Sequence, residues 1–186
     1  MSQYPESERI IRSHVLWAMG AGLIPIPFVD FAAVTAIQLD MLKDLAALYG
    51  VDYNRSSGKA LVSALTGTTF ASIGASLVKA IPGLGSVLGG VSMSLMSGAS
   101  TYAVGQVINQ ALSTSGSLEH VDLSIARQAY EEAFEQGKAY VSDLQQQKDK
   151  AANTFETLDR LQKLREDGIL NEEEFQAKKR ELLSRL

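Results

Sequence analysis

The feature that most constrains this chain is a long internal stretch without charge. Residues 80–118 contain no Asp, Glu, Lys, Arg or His, and residues 60–78 are likewise uncharged. A surface helix needs a polar face, which charged side chains usually supply, whereas an uncharged apolar stretch longer than about 18 residues is a candidate membrane span. Serine, threonine, asparagine and glutamine dilute the apolar residues of 86–112, so a membrane-inserted hairpin and a hairpin buried in protein both stay open.

Two apolar helices joined by a sharp break are predicted over this stretch. The first covers 59–79 and carries a small residue at every fourth position, and the second covers about 86–112. The sequence Ile-Pro-Gly-Leu-Gly at 81–85 breaks the helix between them. Small residues let another helix approach closely, both in lipid and in tightly packed hairpins of soluble proteins. The residues expected to serve this packing or to contact a membrane are Gly67, Ala71, Ala75, Pro82, Gly83, Gly85, Gly89, Gly98 and Gly105.

The remaining sequence is also helical, which predicts an all-α fold. A helix ending near Gly20 is followed by two prolines and then by a helix over 30–49, with Asp30 as its N-cap and Gly50 as its C-terminal stop. We therefore expect a helical bundle over 1–113 that contains the Gly/Ala/Ser-rich apolar hairpin. A flexible linker over 114–118, a charged connecting helix over 119–157 and a small helix-turn-helix over 158–186 follow.

The charge balance argues against a nucleic-acid partner. The chain has 17 basic and 21 acidic side chains, and its formal net charge is −4, whereas affinity for a phosphate backbone requires clustered Lys and Arg. There is no cysteine, and the two histidines, His14 and His120, are expected at the surface or at helix ends. A basic start and an apolar run over 15–29 are similar to a secretory signal, but prolines interrupt the run, so we expect an unprocessed, cytoplasm-facing chain.

No catalytic or cofactor-binding motif is complete. Ser57-Gly58-Lys59 resembles part of a phosphate-binding loop, but Tyr53 stands where that loop needs glycine and Ala60 where it needs a hydroxyl. The glycines at 83–90 lack both the preceding strand and the third glycine of a dinucleotide-binding loop. We therefore predict a protein that is not an enzyme and has neither cofactor nor metal.

Five ordered motifs carry a resemblance to a known family. They are GLIPIPFVD at 22–30, IQLDM at 37–41, LYG at 48–50, IPG at 81–83 and TYAVG at 101–105. Together they resemble domain of unknown function family 697, a bacterial helical domain that is often attached to, or encoded near, Era-like GTPase domains and is found in inner-membrane proteins. The resemblance covers about residues 8–112. It implies that any GTPase is a separate partner, because no GTPase domain is present here.

The end of the chain resembles a second family. LDRLQKL at 158–164, DGIL at 167–170, EEF at 173–175 and KKRELL at 178–183 look like the short C-terminal domain of many bacterial proteins, abbreviated SHOCT. That resemblance implies an oligomerisation or interaction module. The residues expected at its interface are Leu161, Leu164, Ile169, Phe175, Leu182 and Leu183.

Two functional hypotheses follow. In the first, the chain is a non-catalytic, membrane-associated oligomeric scaffold on the cytoplasmic side of the bacterial inner membrane. Its hairpin inserts among the lipids, and its C-terminal helices self-associate or recruit partners. In the alternative, the chain is a soluble, cytoplasmic homo-oligomeric bundle that buries the hairpin and acts as an interaction module for a separate GTPase.

Overall fold

The structure, a computed structural model, describes residues 4–21, 29–78, 93–118, 121–166 and 171–183. Within these ranges the chain is entirely helical and contains no strand, which confirms the predicted all-α class. The helices are α1 (Tyr4–Ala21), α2 (Val29–Tyr49), α3 (Arg55–Val78), α4 (Met93–Ser115), α5 (Leu123–Glu166) and α6 (Glu172–Leu183). None of the described helices combines the length and the hydropathy that a membrane span needs.

The end of α2 shows how local sequence sets a helix boundary. Gly50 has a φ of +69°, a left-handed conformation that glycine adopts without a steric penalty. The amide of Gly50 donates to the carbonyl of Ala47 at 3.2 Å, and the amide of Val51 donates to the carbonyl of Ala46 at 2.9 Å. This pair of bonds closes a helix C-terminus with a Schellman motif, at the stop that the sequence predicts.

The chain forms two compact units, residues 1–141 and residues 142–186. In the first unit α4 is the central helix, and it packs mainly against α1 and α2. Its residues are buried around most of its circumference, including Ala99, Ala103, Val104 and Ile108. The second arm of the predicted hairpin, from Met93 onward, is therefore the centre of a protein bundle.

Two helix boundaries differ from the sequence-based expectation. The helix α4 continues through Ser115 into the segment predicted as a linker, and Gly116, with a φ of +62°, ends it. The Oγ of Ser115 donates to the carbonyl of Ala111 at 2.8 Å, which lets a serine continue the helix. The charged helix α5 begins at Leu123 and runs without interruption to Glu166, beyond the predicted end at residue 157.

The start of α5 is fixed by Asp122. Its Oδ1 accepts the amide of Ser124 at 2.8 Å and the hydroxyl of Ser124 at 2.6 Å, as an N-cap does. These hydrogen bonds, first that from the Ser124 hydroxyl and then those from the backbone amides, lower the pKa of Asp122. A polar residue near the start of the predicted connecting helix thus determines where the long helix begins.

Candidate functional site

For most of the small residues predicted to pack helices, the structure describes no contact with another helix. Pro82, Gly83, Gly85 and Gly89 lie outside the described residues, and the side chains of Ala71 and Ala75 on α3 are also outside them. Gly67 is exposed, and an added Cβ would meet nothing within 4 Å. Asp30 is the second residue of α2, and its side chain is not among those described.

Gly98 and Gly105 on α4 are sites of close helix approach. A Cβ added to Gly98 would lie 2.8 Å from Met19 Cγ of α1 and 2.9 Å from Val141 Cγ2 of α5. A Cβ added to Gly105 would lie 2.8 Å from Ile11 Cγ1 of α1. Since real Cβ atoms essentially never come this close to another atom, the absence of a side chain at these positions lets Met19 and Ile11 of α1 pack directly on α4.

A third close contact involves a glycine that the sequence analysis did not single out. A Cβ added to Gly137 of α5 would lie 2.9 Å from the carbonyl oxygen of Ala99 and 3.1 Å from Ala99 Cα. The backbones of α4 and α5 are therefore in direct contact at this point. Gly137 is flanked by charged residues in the segment EQGK, so hydropathy gives no signal for it. An isolated glycine inside a helical pattern is the only hint.

Uncharged polar side chains link α4 to its neighbours. Gln38 Nε2 of α2 donates to Ser100 Oγ at 3.1 Å, and the Tyr130 hydroxyl of α5 donates to the same oxygen at 3.0 Å. At the other end of α2 the Tyr49 hydroxyl donates to Asn109 Oδ1 at 2.7 Å. Several of the polar residues that make the hydropathy of this helix marginal are thus buried inside the bundle, namely Ser94, Ser97, Ser100, Thr101 and Asn109, whereas Gln110 is exposed.

The α1–α4 contact also contains one polar group with a shifted pKa. Gln106 Nε2 of α4 donates to Glu8 Oε1 of α1 at 3.0 Å. Burial raises the pKa of Tyr102, and the Glu8 carboxylate raises it further, while a hydrogen bond with Gln106 acts in the opposite direction. Tyr102 therefore stays neutral over the physiological range, and this contact contains no phenolate.

The outward-facing side of α1 combines basic and apolar residues. Arg9, Arg12, Leu16, Trp17 and Gly20 are all exposed, and their spacing places them along one side of the helix. Trp17 is 73% exposed and Leu16 is 44% exposed, which are high values for large apolar side chains. We call these five residues the α1 outer face.

The α1 outer face leads to an end of the first unit that has few charges. Ser94 Oγ at the start of α4 donates to the Met19 carbonyl near the end of α1 at 2.9 Å, so these two helix ends are neighbours. Trp17 and His14 share a cleft of about 400 Å³ with Ala36 and Ile37 of α2, so α2 begins at the same end. The short connection between α2 and α3 makes those helices antiparallel neighbours, which brings the end of α3 there too. We call this the uncharged end.

The amino-acid sequence around the uncharged end contains almost no ionisable residue. Residues 15–21, 31–39, 60–78 and 93–106, which lead to this end from all four helices, contain no Asp, Glu, Lys or Arg. Within the described parts of α1 to α4, Asp30 is the one ionisable residue near this end. In the sequence, residues 22–28 connect the end of α1 to the start of α2, and residues 79–92, with Lys79 as their one charged residue, connect the end of α3 to the start of α4.

His14 lies beside Trp17, at the edge of the α1 outer face, and faces two aspartates of α2. Its Nε2 is 3.6 Å from Asp40 Oδ2 and 3.8 Å from Asp44 Oδ2. The sequence predicts His14 at the surface or at a helix end, but its side chain is only 12% exposed and lies in the middle of α1. Asp40 and Asp44, spaced i, i+4 on the next helix, are a sequence signal for such a group. A single sequence does not show, however, that His14 is the residue that faces them.

The second unit has its own small core. The Arg165 guanidinium lies 4.5 Å from the centre of the Phe175 ring, and Asn171 and Glu174 cap α6 reciprocally, at 2.9 and 3.0 Å, as a capping box does. Of the predicted interface residues, Leu161 and Phe175 are buried, Leu182 is half-buried, Leu164 and Leu183 are exposed, and Ile169 lies outside the described residues. Phe155 is also exposed.

These features define a helical bundle organised around a small-residue central helix and followed by a short helical module. The chain belongs to the family described as Domain of unknown function (DUF697), which matches residues 6–148. The short C-terminal domain family, SHOCT, matches residues 156–183. Both resemblances seen in the sequence are thereby confirmed.

A curated relative matches this chain over most of the length of both proteins. Magnetosome membrane protein 22 of Magnetospirillum gryphiswaldense (strain MSR-1) is 35% identical to the chain over 151 residues, which are 78% of this chain and 77% of that protein. No solved structure is significantly similar to the chain.

Proposed function

We propose that this chain is a non-catalytic, membrane-associated scaffold that contacts lipid through the α1 outer face and the uncharged end. The observation that carries the proposal is the exposure of Trp17, at 73%, beside Leu16 and Arg12. Tryptophan is enriched at membrane–water interfaces, because its ring is apolar and its N–H can still reach water or headgroups. Arg12 lies one helical turn further from the uncharged end than Leu16. At that position its guanidinium would contact an anionic headgroup.

The distribution of charge supports the same orientation. Charged side chains are costly inside a bilayer, and α1 to α4 have almost none near the uncharged end. The apolar segment at 23–28 and the uncharged residues 80–92 connect the helix ends found there, so they are the parts of the chain that we expect to enter lipid. The relative named as a membrane protein supports this proposal at the level of the family.

The packing of α4 favours shallow insertion over a hairpin that crosses the bilayer. Residues 97–112 of α4 are surrounded by α1, α2 and α5, so this part of the helix would have to leave the bundle in order to face lipid. Leaving would expose Ser100 and Asn109 without their present hydrogen bonds, and unsatisfied polar groups are costly in hydrocarbon. The proposed contact is therefore made by the end of the bundle.

The second unit supports a role in assembly. Leu164, Leu183 and Phe155 are large apolar residues with exposed side chains in a short module that is otherwise strongly charged. We propose that these residues mediate self-association, and that a partner such as a separately encoded GTPase docks on the same module. Membrane contact through one unit and assembly through the other would together make a scaffold.

Trp17 makes the membrane proposal directly testable, because it is the one tryptophan of the chain. Tag-free protein is mixed with vesicles of phosphatidylethanolamine and phosphatidylglycerol, or with vesicles of phosphatidylcholine alone, and then floated on a density gradient. We expect flotation and a blue shift of the Trp17 emission with the anionic vesicles. Protein that stays at the bottom of the gradient, with an unchanged emission spectrum, would refute the proposal.

A pair of double variants gives the control. Arg12→Gln with Leu16→Ser should weaken partitioning by at least about tenfold, since a basic residue near an anionic surface contributes about 1 kcal/mol and burial of an apolar side chain adds to it. Arg160→Gln with Ile125→Ser changes an exposed arginine and an exposed apolar residue of α5 and should bind vesicles like the unchanged protein. Equal loss in both would mean that the α1 outer face is not the contact.

The alternative function, a homo-oligomeric interaction module that does not bind lipid, is favoured by the hydrogen-bonded packing of α4. It predicts that the chain ignores vesicles and forms a defined oligomer in sedimentation experiments. Leu164→Ser with Leu183→Ser should then dissociate the oligomer. In the scaffold proposal the same variant loses self-association but still floats with anionic vesicles.

A further inference from the structure

One group of side chains has no part in the proposed membrane contact. His14 of α1 faces Asp40 and Asp44, which are one turn apart on α2, and one ligand atom from each of the three residues lies within 4.8 Å of the others. We call these residues the His14 cluster. In the described part of the chain, neither aspartate forms an ion pair with a lysine or an arginine.

The hydrogen bonds of His14 fix which ring nitrogen faces the aspartates. Its Nδ1 lies 2.8 Å from the carbonyl oxygen of Ile10. A carbonyl oxygen can only accept, so Nδ1 must donate and therefore carries a proton. In the neutral ring, Nε2 then has a free lone pair, and this lone pair is directed at the two carboxylates. A histidine whose second nitrogen donates to a backbone carbonyl is the usual arrangement for a metal ligand.

Three acceptor atoms within 4.8 Å of one another can share one cation. We propose that the His14 cluster binds a divalent first-row transition cation of the Zn²⁺ type, with His14 Nε2 and one oxygen each from Asp40 and Asp44 as ligands. The proposal concerns the first unit alone and does not depend on lipid binding.

The distances suit such an ion. Tetrahedral Zn²⁺ with ligand bonds of about 2.1 Å separates its ligand atoms by about 3.4 Å. The Nε2 to carboxylate distances of 3.6 and 3.8 Å therefore need only small side-chain adjustments to reach this geometry. Asp40 and Asp44 are exposed, so their side chains are free to adjust.

The ligand types select the cation. Imidazole nitrogen suits Zn²⁺ and similar transition ions, whereas Mg²⁺ and Ca²⁺ prefer sites made only of oxygen. Three protein ligands leave at least one coordination position open, and the neighbouring cleft, which includes Trp17 and Ile37, adjoins it. A bound ion would tie α1 to α2 in the middle of both helices.

The first test is calorimetric titration of the tag-free full chain, stripped with chelator and desalted, with ZnCl₂, MnCl₂, MgCl₂ and CaCl₂ alone. We expect one equivalent of Zn²⁺ per chain, and binding of Zn²⁺ at least about a hundredfold tighter than binding of Mg²⁺. We also expect the melting temperature to rise with Zn²⁺ concentration, because an ion that binds only the folded state stabilises it. The absence of saturable Zn²⁺ binding would overturn the proposal.

Matched variants assign the site. His14→Gln, and Asp40→Asn combined with Asp44→Asn, should each weaken Zn²⁺ binding by at least about tenfold and abolish the shift in melting temperature. His120→Gln and Asp149→Asn change one histidine and one exposed aspartate elsewhere and should bind Zn²⁺ like the unchanged protein. Circular dichroism without metal checks that each variant folds. Unchanged Zn²⁺ affinity in folded His14→Gln protein would refute the assignment.

Discussion

Replacing Gly137 by alanine tests whether the close approach of α4 and α5 is essential to the first unit. The new Cβ would lie 2.9 Å from the carbonyl oxygen of Ala99 and 3.1 Å from Tyr102 Cδ1, whereas ordinary contacts begin at 3.4 Å. The nearest of these atoms belongs to the backbone of a buried helix, so rotation of a side chain cannot relieve the clash. The two helices would have to move apart.

The expected cost combines two opposing effects. Alanine is more favourable than glycine inside a helix by about 0.5–1 kcal/mol, while forcing an extra methyl group into a packed interface costs about 1–3 kcal/mol. Because backbone is involved, we expect the upper part of that range and a net loss of about 1–2 kcal/mol in the free energy of unfolding. Gly67→Ala has the same gain in helix propensity and no clash, since nothing lies within 4 Å.

The comparison of Gly137→Ala with Gly67→Ala therefore isolates the contact. Urea unfolding followed by Trp17 fluorescence reports on the first unit, which contains both glycines. We expect Gly67→Ala to be more stable than the unchanged protein and Gly137→Ala to be less stable, with a difference of about 2–3 kcal/mol between them. If the two variants unfold within about 0.5 kcal/mol of each other, the packing argument is wrong.

Three further substitutions test the polar contacts. Gln38→Leu removes a buried side chain whose Oε1 has no partner, so its effect on urea unfolding should lie within about 1 kcal/mol of zero. Tyr49→Phe leaves the buried Oδ1 of Asn109 without its hydrogen bond, and the same assay should show a loss of about 1–2 kcal/mol. Asn171→Ala removes the cap of α6 and should lower the stability of the second unit by about 1 kcal/mol, measured as helix loss by circular dichroism on heating.

Sequence patterns predicted the helices well where a local signal marked their boundaries. Gly50 ends α2 at the predicted residue, because its left-handed conformation depends on the residue itself. The N-cap of α6 at Asn171 is a local signal of the same kind, because its side chain accepts the amide of Glu174 three residues later. Where no strong stop occurs, a module boundary does not coincide with a helix end, as in α5, which continues past residue 157 to Glu166.

Contacts between helices could not be derived in the same way. The approach of Gly137 to Ala99 and that of His14 to Asp40 each join residues far apart in the chain. Neither the period of a helix nor its hydropathy determines which partner it meets. The uncharged stretch was open to two interpretations, because burial in lipid and burial in protein both remove the need for charge.

The surroundings of residues 93–112 in the structure explain why this part of the uncharged stretch contains no charge. A helix surrounded by other helices cannot hold an unpaired charge, because an ion is costly to bury, but it can hold hydroxyl and amide groups that bond to its neighbours. Ser100 and Asn109 do so, and the small size of serine also lets the backbones come close. The absence of charge over 93–112 thus follows from protein packing and needs no lipid. Packing within the described part does not explain why Trp17, beside the cleft between α1 and α2, is 73% exposed. The membrane proposal therefore has to be tested at that residue.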